Sequence, residues 1–543
     1  MGKLKLRILA LGMVLILLLT GCSFADGSRR VKTFLEQLSY RNIAVYPYKD
    51  MTYERPDMQA FDRVLQRSCA AAADCDNLED ILDCIFEFYD AYDSFYTNYF
   101  LADIRYSADL TDAYWEEEYT YCMENYPAAD AGLEQLYMAL ADSPLREELE
   151  AEYFGTGFFD AYDGESMWDE TFTALMEQEI RLQNAYYELS GQAAEAEPYS
   201  DAFFTTYGAE MGTLFVELIG LRQEIAAYMG YDSYVDFAYD FYYSRDYTPA
   251  ETEQYLKRIR QELVPLYREL MTSDLWQTGN APCSEEDALN YLRETSRNMG
   301  GITAEAFYVL ETGGLYDISY GANKYNSSFE VYLDSYREPF LFMNPSGTVY
   351  DKLTLAHEFG HFTNDYCCGG SYAGVDVAEV MSQGMEFMSL CYGTDTEELE
   401  KLKLADSLCT MVEQAAYAAF EQQVYAISPE ELTTETVYAL YEQIGLEFGM
   451  DSWNWDSRDF VTITHFYTNP MYIISYVASC DAALQLYQME KAAAGQGLTR
   501  YERILSSEET GFLAFIRWAE LTSPFEEDRM QQVRQTFEEA LQS

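Results

Sequence analysis

Two of the chain's three histidines stand four residues apart, His357 and His361, with Glu358 directly after the first. On a helix, side chains at i and i+4 share a face, so two imidazoles can meet one metal ion while Glu358 projects beside them. Zinc held this way acidifies a water, and a carboxylate within reach can take its proton, which is the chemistry of metal-assisted hydrolysis. Structural zinc takes four protein ligands, whereas catalytic zinc takes three and keeps a position open. A third ligand is therefore sought downstream. The stretch from Val375 to Glu386 sets an apolar stripe beside a second one of Glu379, Ser382 and Glu386. A helix there, packed on the first, could deliver Glu379, with Asp376 as its rival. In a chain with 93 acidic residues the plainer reading of Glu379 is an exposed acid.

These residues need elements to hold them. Thr348 with Asp351 three positions on predicts a capped helix running to about Tyr366 and ended by Gly369-Gly370. Before it, Ser328 to Leu333 alternates and Phe340 to Met343 is a short apolar run, so a small sheet is expected beside the site helix. The edge of strand 328–333 could pair with an extended peptide backbone, or the strands could be a plain hairpin. Hydroxyl caps with a carboxylate three residues later recur at Thr248, Ser284, Ser428 and Ser523, each predicting a helix start. From Met211 the apolar residues keep helical spacing as far as Gly230, a plausible C-terminal cap, and Tyr231 to Tyr234 opens another helix. The aromatic and acidic residues that alternate through residues 30 to about 200 read as packing stripes rather than a binding platform. The chain shows no repeat, no low-complexity linker and no glycine-rich phosphate motif. Most of it reads as helix.

Composition narrows the partners. A net charge of −59 repels phosphate, which excludes nucleic acid as a default partner and disfavours anionic lipid headgroups. At the N-terminus, Lys3, Lys5 and Arg7 precede an apolar run from Ile8 to Leu19 and then Leu19-Thr20-Gly21-Cys22. This is the pattern of an export signal, too short to prefer a permanent span. Its last four residues resemble the bacterial lipobox, which implies a signal over 1–21, lipidation of Cys22 and a protein anchored outside the cell; an ordinary signal peptide is the alternative. Loss of residues 1–21 removes three positive charges and no acid, taking the net charge to −62. Ten further cysteines are irregularly spaced and form no CxxC pair, which argues against a cysteine-ligated zinc site. Cys367 and Cys368, beyond the ligand turn, are expected to pack.

Taken together, Thr354 to His361, Ala378-Glu379-Val-Met-Ser382-Gln with Glu386, and His465-Phe-Tyr467 followed by Pro470-Met-Tyr472 and Tyr476 resemble the thimet oligopeptidase and oligoendopeptidase F family of zinc metallopeptidases. Leu221 to Tyr231 and Asn323-Lys324 are similar to it as well. The resemblance spans about 205 to 500, and divides the mature chain into an N-terminal helical region, 22–204, and a catalytic domain, 205–543. It implies an all-α, two-lobed fold with a deep substrate channel and a small β-sheet beside the active-site helix. It also implies one zinc per chain on His357, His361 and Glu379, with Glu358 as general base and proton carrier. Glu386 would orient a ligating imidazole, and His465, Tyr472 and Tyr476 would stabilise the oxyanion. Many relatives have a tyrosine where this chain has Ile474, which leaves the donating tyrosine open. The expected substrates are short unstructured peptides. The sequence leaves open two other readings, a lipid-anchored peptide-binding protein without turnover and a peptidyl-dipeptidase of related helical type, and it does not give the oligomeric state.

Overall fold

A computed structural model of the chain describes residues 45–164, 169–193, 200–273, 279–370, 373–452, 455–507 and 509–542. The expected signal segment and Cys22 lie outside the described residues. Met58–Asp74 (α1), Leu78–Ala108 (α2) and Ala113–Ala141 (α3) start where side-chain oxygens of Asp57, Asn77 and Asp112 accept the first orphan amides. The three pack on one another. The aromatic stripe of α2, including Phe88, Tyr92, Phe95, Tyr96 and Tyr99, is buried. The tyrosines are therefore packing, as their spacing suggests. Glu170–Ala193 (α4) lies against Ala209–Tyr228 (α5). Past α5 the chain reverses at Gly230, whose φ of 81° suits a residue without Cβ.

Three strands form the only sheet among the described residues, in the order β1-β3-β2. Tyr316–Asp317 (β1) runs parallel to Glu338–Met343 (β3), and Ser328–Leu333 (β2) runs antiparallel to β3 with Ser328 opposite Met343 and Leu333 opposite Glu338. The buried Lys324 ammonium ties the sheet, donating to the carbonyls of Ser319 and Met343 and to Asp317 Oδ1, each at 2.8 Å. Asp351–Cys368 (α6) packs against β2, β3 and Val375–Tyr392 (α7), which also packs extensively against Ile474–Ala492 (α9). Between α7 and α9 in sequence lies Glu397–Cys409 (α8). The close approach of α6 to α7 explains the glycine of the histidine motif. A Cβ on Gly360 would stand 2.6 Å from Ser382 Cα and 2.7 Å from the Met381 carbonyl, both backbone atoms that cannot swing aside. The buried apolar side chains form one connected cluster from Met51 to Phe537. Apart from its small sheet the fold is all-α.

Of the four hydroxyl caps, Thr248 and Ser284 close full capping boxes on Pro249–Glu262 and Glu285–Met299. The other two predicted starts are turns. Ser428 precedes a turn, and the helix begins only at Thr434, capped by Thr433 and Thr436. Ser523 likewise makes a turn in which the Phe525 ring sits 4.9 Å from Tyr247, and the last helix waits until Arg529. Thr348 does not cap α6 either. Its segment pairs with Pro282, while the Asp351 carboxylate turns back to accept Ser346 N, Ser346 Oγ and Gly347 N at 2.8 Å each. The C-terminal end is as expected, with Gly369 at φ 67°.

Candidate metal centre

Helix α6 turns His357 and His361 onto one face, with ring centroids 5.1 Å apart. Helix α7, held close by Gly360, brings Glu379 to the same place. One ligand atom from each of the three residues lies within 4.8 Å of the other two, and His357 Nε2 stands 3.4 Å from Glu379 Oε2. Asp376, the rival, is committed elsewhere. It pairs with buried Arg245 at 3.2 Å and accepts the Tyr247 hydroxyl at 3.0 Å.

Each functional group is positioned by a neighbour. Glu386, two turns beyond Glu379 on α7, places Oε1 2.9 Å from His357 Nδ1, and Lys403 Nζ of α8 lies 2.6 Å from its Oε2. Glu379 accepts Ser382 Oγ at 3.1 Å and the Tyr472 hydroxyl at 2.7 Å. Glu358 accepts Ser328 Oγ of β2 at 2.7 Å. The strand next to the site thus touches the expected base directly.

Burial and crowding set the charges. Burial pushes the Glu358 carboxyl up to about 7, against the opposing pull of His357 and Ser328. Burial disfavours charge on His357, yet hydrogen bonding to Glu386 and the fields of Glu379, Glu386 and Glu358 raise it to about 9. Burial and the neighbouring His357 hold His361 well below the ordinary imidazole range. Burial would raise Glu386, but Lys403 and His357 overcome it and hold the carboxyl below its usual value. Three carboxyl groups, Glu358, Glu379 and Glu386, thus surround the imidazole pair, and a divalent cation there would draw the two that burial raises, Glu358 and Glu379, toward their ionised forms. Two imidazole nitrogens and one carboxylate oxygen are also a donor set of catalytic zinc. The residues present fit that metal.

The C-terminal motif folds beside this centre. His465 sits in the short helix Thr464–Thr468, and its Nε2 is 3.1 Å from the Tyr476 hydroxyl at the start of α9. Burial holds the His465 imidazole down to about 4, so it is neutral near pH 7. Met471 takes a left-handed φ of 68°, strained for a residue with a Cβ, and its N–H donates to buried Glu421 at 2.7 Å. That turn aims Tyr472 at Glu379. Buried Arg222 of α5 donates to the carbonyls of Phe466, at 2.9 Å, and of Tyr467, and pairs with Glu179 of α4 at 2.7 Å. Ile474 is buried in the core and offers no polar group.

Sequence reasoning missed Ser328, Arg222, Arg245 and Lys403. Only Lys403 left a local signal, since Leu399, Lys403 and Ser407 share one helix face and all are buried. Ser328 meets Glu358 only through the packing of sheet on helix, which no local pattern encodes. Cys368 packs as expected, its Sγ 3.6 Å from the Leu505 carbonyl, and no disulfide joins the described cysteines.

Residues 48–166 match the Peptidase M3 N-terminal domain and residues 313–508 match Peptidase family M3. The first match extends the family likeness into a region where sequence reading saw only helical, acidic character. Among solved structures, a protein assigned as oligoendopeptidase F is 20% identical with a TM-score of 0.81, covering 92% of this chain and 99% of that chain. PZ peptidase A, solved with an inhibitor, is 20% identical with a TM-score of 0.80 over 91% of this chain and 99% of that chain. A Bacillus anthracis protein assigned as oligoendopeptidase F is 22% identical with a TM-score of 0.78 over 92% of this chain and 99% of that chain. At these identities the likeness is one of fold. No curated protein matches the chain.

Proposed function

The chain belongs to peptidase family M3 and is a metalloendopeptidase, and from that premise we propose that it is a zinc enzyme hydrolysing short, unstructured peptides outside the cell. The observation that carries the reading is the convergence of His357, His361 and Glu379 around a site where Glu358 stands ready beside them. A zinc ion held by those three residues supplies Lewis acidity toward a peptide carbonyl and toward water. Glu358, fixed at one oxygen by Ser328, takes a proton from the attacking water as its oxygen bonds to the peptide carbon. It then returns that proton to the amine nitrogen as the C–N bond breaks. With Nε2–H of His465 donating to the Tyr476 oxygen, the Tyr476 O–H is left free to donate to the developing oxyanion. Tyr472, already donating to Glu379, acts by holding that ligand.

Strand β2 supports the substrate class. It ends the described sheet, and Ser328 and Phe329 at the site end are partly exposed while Glu330 to Leu333 are buried. An extended peptide pairing with that short edge runs past Glu358, using backbone bonds that do not read side chains. An acyl anchor on Cys22 places this activity on the outer face of the membrane.

The test incubates purified protein with a mixed peptide library, with and without chelator, and reads fragments by mass. Internal cuts that vanish on chelation, return with zinc, and fall by about 10²- to 10⁴-fold in Glu358→Gln with the fold intact are expected. Binding without turnover in the zinc-loaded protein would favour a peptide-binding role, and successive C-terminal dipeptides a peptidyl-dipeptidase. For location, Cys22→Ala is expected to move the activity from the detergent-soluble membrane fraction to the medium; activity still in the membrane fraction would remove the anchor from the reading.

A further inference from the structure

Helix α8 brings to the centre a group that the proposed reaction does not use. Lys403 sits at its middle, 3% exposed, among buried Leu399, Leu402 and Leu408. A compact, strongly hydrated ammonium is among the costliest groups to bury and is tolerated there only if paired. Its partner is Glu386, at 2.6 Å, with Asp406 further away at 3.8 Å. The lysine therefore spends its charge on a carboxylate whose other oxygen lies 2.9 Å from His357 Nδ1.

The division of that carboxylate is the point. A carboxylate can turn about its χ angles and offer either oxygen to an imidazole. Lys403 occupies Oε2, which leaves Oε1 facing Nδ1. An Nδ1–H donated to Oε1 fixes the tautomer in which Nε2 carries the lone pair, and Nε2 is the nitrogen that faces Glu379. We propose that Lys403 is a positioning residue that presets His357 as a metal ligand through Glu386, making a Lys403–Glu386–His357 chain from α8 through α7 to α6.

This inference rests on the proposed metal site, and its test separates the two. Zn2+ affinity of the full chain is measured by competition with a chromophoric chelator for the unaltered protein, Lys403→Met, Glu386→Gln and the double variant, with far-UV circular dichroism of each. Lys403→Met and Glu386→Gln are each expected to weaken Zn2+ binding by about 10- to 100-fold, the range for partners that orient a ligand. Because one acts through the other, the double variant is expected to lie within about threefold of the weaker single variant. A purely structural lysine would lower thermal stability while leaving Zn2+ affinity unchanged. Affinity within about threefold of the unaltered protein in Lys403→Met, or losses that multiply in the double variant, overturns the assignment. If Lys403→Met does not fold, Lys403→Leu runs the same cycle, since it too removes the donor to Glu386 Oε2 and suits the apolar surroundings of Leu399, Leu402 and Leu408. An unaltered protein that binds no Zn2+ sinks the metal reading and this inference together, whereas normal binding with an unaffected Lys403 variant sinks only the latter.

Discussion

Two buried carboxyls, Glu386 on α7 and Asp130 on α3, have met the same burial with opposite results. Asp130 is 1% exposed and accepts the hydroxyls of Tyr92 and Tyr96 on one oxygen, at 2.8 and 2.6 Å. Its neighbours are neutral, and burial pushes it up to about 8 despite those bonds. Glu386 is 6% exposed, but the Lys403 ammonium on one oxygen and the His357 imidazole on the other hold its carboxyl below the usual value. Hydroxyl donors alone do not offset desolvation of a carboxylate, whereas an ammonium at salt-bridge distance does. Glu386 keeps its charge beside the imidazole it meets, while Asp130 gives its charge up inside the helical packing.

The tyrosines pack in one region and, in the proposed reaction, act in the other. Tyr476→Phe removes the hydroxyl paired with His465, and kcat is expected to fall by about 10²- to 10³-fold with Zn2+ affinity unchanged, as for loss of an oxyanion donor. Tyr472→Phe instead removes the bond to Glu379, so the expected effect is a drop in Zn2+ affinity of about tenfold with the smaller change in kcat at saturating metal. Steady-state kinetics at fixed free Zn2+ separates the two. The reverse pattern would exchange their roles.

How far the sequence shows this division depends on how local each determinant is. His357, Glu358 and His361 are fixed by helical periodicity, and Glu379 with Glu386 by the stripe of the next helix, so their juxtaposition follows once two helices pack. Gly369 ends α6 where expected, because a left-handed cap is a one-residue property. Ser428 and Ser523 mislead because a hydroxyl three residues before a carboxylate suits a single turn as well as a helix; what decides is distant, such as the Phe525 ring between Tyr247 and Tyr255. The same distance hides Ser328 from Glu358 and Arg222 from the Phe466 and Tyr467 carbonyls. In the N-terminal region the aromatic stripe reveals that α2 packs, but not that Tyr92 and Tyr96 converge on Asp130, 38 and 34 residues away.

The contrast between Asp130 and Glu386 also has a consequence for stability against pH. Its folded value, about 8, lies above the unfolded reference of about 3.9, so the folded state binds the proton more tightly. Its contribution to stability is therefore complete below about pH 4 and is lost as pH rises through about 8, at up to about 1.4 kcal/mol per pH unit. Asp130→Asn keeps an oxygen to accept the two tyrosine hydroxyls and cannot ionise. Urea unfolding across pH 5 to 8 is expected to show a flatter stability profile in Asp130→Asn than in the unaltered protein, with the variant gaining relative stability toward pH 8. Equal slopes would mean that Asp130 is ionised in the folded chain. In that case two tyrosine hydroxyls would hold a buried carboxylate as well as Lys403 and His357 do, and the cation at Glu386 would lose its electrostatic rationale.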